Sequence, residues 1–143
     1  MSAARLYTPE LLALAVDLAR WPRLGDASLH GEARSPTCGS TLAMDLELDE
    51  AGGIRRLGMA VRACAVGQAS AAIFARAAEG RGAEDLAQSL GGLEAWLAHE
   101  SAMPDWPGLA PLEPARAYPA RHGAMLLPWK AALAALSSAA PAG

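Results

Sequence analysis

Two cysteines stand where a thiol could do chemistry. Cys38 lies in "SPTCGS", and Cys64 follows 26 positions later in "ACAVGQAS". As thiolates, cysteines bind soft metals or accept sulfur. Zinc takes four ligands, commonly Cys or His, so the three histidines come next. His30 alternates with Glu32 and Arg34, which suits a solvated strand face. His99 ends a helical stretch beside Glu100, where an imidazole complements the helix dipole. His122 precedes the last predicted helix much as Cys64 precedes its own, and is the candidate third ligand. The competing reading is that both cysteines are buried free thiols, which are common in cores.

The elements around these residues follow from pattern. Thr8-Pro9-Glu10 opens a helix, with Thr8 as cap and Pro9 at the first position, and Trp21-Pro22 closes it. Residues 29–34 alternate weakly. Leu42, Met44, Leu46 and Leu48 alternate with Ala43, Asp45 and Glu47, the signature of a half-buried strand. "DEAGG" is turn chemistry, and Leu57, Met59 and Val61 form the apolar face of a third strand. Short connections favour an antiparallel meander with one wet face and one face under helices. A helix is predicted from about Ala65 to Glu79, stopped by Gly80, with one or two more over 83–100, broken near Gly91-Gly92. Residues 101–119 carry five prolines, yet Trp106, Leu109, Leu112 and Tyr118 predict an ordered, packed segment. A final helix starts close to Pro128 or is kinked there. Residues 1–136 read as one domain and 137–143 as a disordered tail.

This meander has a geometric consequence. In an up-down-up sheet, the end of the first strand, the start of the second and the end of the third share one edge. Cys38 sits in the first connection and Cys64 just after the third strand. Strands are about 4.8 Å apart, so both cysteines are expected on one rim. Cys64 also arrives at a helix N-terminus, whose free N–H groups favour a thiolate.

Bulk properties exclude several classes. The net charge is −3 with scattered arginines and a single lysine, Lys130, so no basic patch points to nucleic acid. No apolar run approaches the roughly 18 residues of a membrane span, and "MSAARLYTPE" lacks a hydrophobic signal region. A cytoplasmic protein is expected, and the alanine-rich composition suits a GC-rich bacterial gene. No general-base pair, nucleophile triad or phosphate loop stands out, so the chain reads as a non-enzyme.

The order of elements, with "SPTCGS", "CAVGQAS" and "PARHGAMLLPWKAAL", resembles the iron–sulfur cluster assembly scaffolds IscU, SufU and the NifU N-terminal domain over about Leu6 to Leu136. "PAR", "WK" and the proline-rich insertion fit the SufU branch. The resemblance implies an α+β fold: a three-stranded antiparallel meander against several helices. It implies an end site for a transient Fe–S cluster or zinc, held by three cysteines and an aspartate. Cys38 and Cys64 match the first two cysteines, Ser40 stands at the aspartate and Ala124 at the third cysteine. A cysteine desulfurase and acceptor apo-proteins are the implied partners, and a homo-oligomer is possible on the same footing. Three readings follow: a divergent scaffold at Cys38, Cys64 and His122, a zinc-bound sulfur acceptor, or a degenerate interaction module.

Overall fold

The computed structural model describes residues 6–138. Helix α1 (Pro9–Asp17) opens as expected, with Thr8 Oγ accepting from the Leu11 N–H at 3.2 Å. It continues as a 3-10 turn over Leu18–Arg20. Strands β1 (Leu29–Arg34), β2 (Thr41–Leu48) and β3 (Ile54–Arg62) form an antiparallel sheet in the order β1-β2-β3. The expected α+β meander is what the chain builds.

Helix α2 (Ala65–Ala77) is buried along most of its length, because its run of Ala, Gly and Ser lets α1 and α4 approach closely. Helix α3 (Ala83–Leu97) is unbroken through Gly91-Gly92, correcting the expected break. Two glycines in a helix cost roughly 1 kcal/mol each relative to alanine. Burial of Leu86, Leu93, Trp96 and Leu97 on one side of the helix offsets that. Helix α4 (Pro119–Ser137) starts nine residues before Pro128, not beside it. Pro119 supplies a pre-set first position, and Pro128 sits buried in the interior. The helix also runs to Ser137, so it takes in the first residue of the expected disordered tail, while 139–143 lie outside the described residues.

The core lies between the sheet and helices α2 and α4. Leu42, Met44 and Leu46 of β2 point into it, as their alternation predicts. Phe74, Trp106 and Trp129 form an aromatic cluster, with ring centroids 5.3, 5.2 and 5.0 Å apart. Such pairs add about 0.5–1.5 kcal/mol beyond area burial. Trp106 also donates its indole N–H to the Ile73 carbonyl at 3.1 Å. That anchors the proline-rich segment, which becomes a 3-10 stretch over Ala110–Ala117 with Leu109 and Leu112 buried.

The other sheet face is not simply wet. Asp45 alternates onto it but is fully buried. Arg23 donates to both Asp45 oxygens at 2.7 and 2.8 Å, the Leu24 N–H donates at 2.9 Å, and His30 Nδ1 lies at 2.7 Å. Met59 N–H donates to the Trp21 carbonyl. The segment after α1 thus straps across the sheet, and His30, half-exposed, is tied to the strap's anchor.

Candidate functional site

The strand register places the cysteines. Arg34 of β1, Thr41 of β2 and Arg62 of β3 face one another across the sheet. Cys38 lies in the β1–β2 connection and Cys64 two residues past Arg62, so both leave the sheet at the same end, as the meander requires.

The Cys38 loop is closed by its own backbone. Ser35 N–H donates to the Ser40 carbonyl and Gly39 N–H to the Ser35 carbonyl, both at 2.8 Å. Gly39 takes φ +71, a left-handed turn that suits glycine. The loop leaves Cys38 exposed between two buried serines. Its Sγ lies 3.4 Å from Ser35 Oγ and 3.1 Å from Ser40 Oγ. Hydrogen bonding with Ser35 first and Ser40 second, helped by the Arg121 charge, holds the Cys38 thiol below the ordinary thiol range.

Cys64 is the cap residue of α2, in extended conformation, with no side-chain capping bond. Its carbonyl accepts from Gln68 N–H at 2.9 Å, while Gln68 Nε2 donates to the Ala63 carbonyl. The thiol is half-buried and packs against the core. Cys38 and Cys64 therefore differ in kind: one is exposed and hydroxyl-bonded, the other is partly buried.

Small residues fill the space around them. A Cβ on Gly67 would lie 2.7 Å from the Ala63 methyl and 3.2 Å from the Ala124 methyl. Ala124 is fully buried there. A Cβ on Gly123 would collide with the Ser35 side chain, so the first turns of α4 rest directly on the Cys38 loop. His122 is the fourth residue of α4, not a residue before it. Its Nε2 donates to the Arg116 carbonyl at 2.8 Å, since a carbonyl can only accept. Among the described residues, no three of His, Cys, Asp and Glu group as metal ligands. A closed four-ligand zinc site does not fit these residues.

Two contributors went unnoticed in the sequence, Ser35 and Arg121. The signal for Ser35 was present: serines bracket "PTCG" at both ends, and a short closed turn brings both hydroxyls to the residue between. Arg121 carries no such signal, because only the packing of α4 on the loop brings it near.

No protein-family model matches the chain, and no curated protein matches it significantly. Solved structures do match. A nitrogen-fixing NifU-like protein (N-terminal) from Brucella abortus is similar at 27% identity and a TM-score of 0.84, covering 95% of this chain and 97% of that one. A candidate iron–sulfur cluster assembly scaffold protein for the SUF system from Fervidobacterium islandicum shares the fold at 18% identity and a TM-score of 0.81, covering 94% and 99%. With the two cysteine motifs at the same end of the sheet, this full-length similarity supports an IscU/SufU/NifU-like fold and family.

Proposed function

We propose that the chain serves iron–sulfur cluster assembly as a scaffold-like protein, taking iron and sulfide as cargo at Cys38 and Cys64. The observation that carries this is their convergence at one end of a fold shared over its length with assembly scaffolds. The partners on this reading are a cysteine desulfurase as sulfur source and apo-proteins as acceptors. His122, hydrogen-bonded through Nε2 to a backbone carbonyl, is left out of the ligand set.

The Cys38 environment favours a second reading, sulfur acceptance. An exposed thiol between two hydroxyls, with its titration held below the ordinary thiol range, suits attack on a desulfurase persulfide. The Cys38 thiolate would form a bond to the outer sulfur, the donor's S–S bond would break, and the donor cysteine would leave as thiolate. The two readings share Cys38 and differ in whether iron is held.

Anaerobic reconstitution with ferric iron, sulfide and glutathione, read by visible absorbance, tests the scaffold reading. Cluster absorbance is expected for the wild type and lost in a Cys38→Ala, Cys64→Ala double variant. Identical spectra from the two proteins overturn it.

A further inference from the structure

The strap covers only part of the sheet face that turns away from the core. Strand register sets Arg34, Thr41 and Arg62 in one row across that face, and Glu32, Ala43 and Ala60 in the next. The third row, His30, Asp45 and Gly58, is where the strap crosses. There Arg23 bonds Asp45, and a Cβ on Gly58 would lie 2.2 Å from the Pro22 carbonyl oxygen. In the first two rows Arg34, Arg62, Glu32 and Ala60 are exposed around half-buried Thr41 and Ala43. Alanine at 43 and 60 keeps the floor low. A cleft of about 330 Å³ lined by Arg23, His30, Glu32 and Ala43 opens where the strap meets it. The floor ends at the end of the sheet from which Cys38 and Cys64 emerge.

The charges on this floor are unmatched. Arg20, Arg23, Arg55, Arg56, Arg76 and Arg81 each have a carboxylate partner. Among the described residues Arg34 and Arg62 have none, although the chain carries a net charge of −3. They stand one strand spacing to either side of Thr41, about 10 Å apart, so they act together on one ligand at ordinary salt. We infer that the uncovered floor beside the cysteines docks an acidic segment of a partner protein, whose carboxylates meet Arg34 and Arg62. This rests on the reading of the cysteine end as the place where cargo changes hands, and adds the surface and the charge of what comes to it. Guanidinium groups bind carboxylates as planar forks. Attraction over this range speeds encounter and makes docking salt-sensitive. A second copy laid face to face would bring the same two arginines to the same place and be repelled. Nucleic acid needs a longer track of cations, and Glu32 interrupts this one.

Titration of isotope-labelled protein with poly-L-glutamate, followed by amide chemical shifts, tests this. The expected shifts fall on residues 32–34, 41–43 and 60–62 and fade as salt is added. Arg34→Gln combined with Arg62→Gln should weaken binding several-fold, and Glu32→Gln should tighten it. Arg55→Gln removes the same charge at the far end of β3 and should leave binding unchanged. Absent shifts, shifts confined to other surfaces, or equal affinity in the double variant overturn the inference. So does tighter binding of polyuridylate than of polyglutamate, or self-association through these same residues. The readout involves neither iron nor sulfur. A floor that binds polyglutamate on a protein that takes up no cluster keeps this inference and sinks the scaffold reading, while cluster uptake without such binding does the reverse.

Discussion

Ser40 changes what Cys38 can do. A carboxylate at that position could bind iron, whereas a hydroxyl 3.1 Å from Sγ donates to a thiolate. With Ser35 it keeps the Cys38 thiol below the ordinary range. Alkylation of Cys38 by iodoacetamide is therefore expected to rise with pH at a midpoint below that of a free thiol. Ser40→Ala should move the midpoint upward, toward the free thiol, and mass-resolved alkylation rates would show it. Gly123→Ala tests the same contact from the other side. The added methyl must displace the Ser35 hydroxyl, so the midpoint should again rise. The clash falls on the hydroxyl end of a short side chain, and global stability should fall by about 1 kcal/mol or less. The arrival of Cys38 and Cys64 at one end of the sheet was legible in the sequence. The bond between Ser40 and Cys38 was not, because residue type does not say which way a hydroxyl points.

At the scale of elements, the proline-rich stretch shows how packing replaces regular structure. Its five prolines forbid a long helix or strand, but Trp106 enters the aromatic cluster and bonds the Ile73 carbonyl. Trp106→Ala should cost about 3–5 kcal/mol, as large aromatic deletions in cores do. Urea unfolding would check this, and faster proteolysis within 101–119 would show that the segment had lost its anchor. The packed character of this stretch was legible from its apolar spacing. The unbroken α3 and the early start of α4 were not. Local propensity marks Gly91-Gly92 and Pro128 as breaks, and tertiary burial overrides it in both places. The meander was legible because strict alternation and short turns leave few other topologies.

Across the whole molecule, Asp45 joins the strap after α1 to the sheet. Arg23 foremost, with His30 and the Leu24 N–H, holds its carboxyl at about 2, against an ordinary 3.8. A depressed carboxylate stabilises the fold above its unfolded value and loses that contribution as pH falls through the folded value. Asp45 thus contributes about 2 kcal/mol near neutrality, lost as the pH drops from 3.8 toward about 2. Asp45→Asn should destabilise the protein by roughly that amount or more at pH 7, and urea titrations should show the gap closing in acid. Alternation alone had placed Asp45 on a solvated face, and only the strap, distant in sequence, buries it. On the proposed reading, the cysteine end of the sheet is where cargo is handled. Iron and acid-labile sulfide, measured per chain after anaerobic reconstitution with glutathione and desalting, test that claim most directly. The account predicts equal iron and sulfide on the wild type and loss of both in Cys38→Ala and in Cys64→Ala. Retention of iron and sulfide in either variant, or one zinc per chain in place of both, would contradict it.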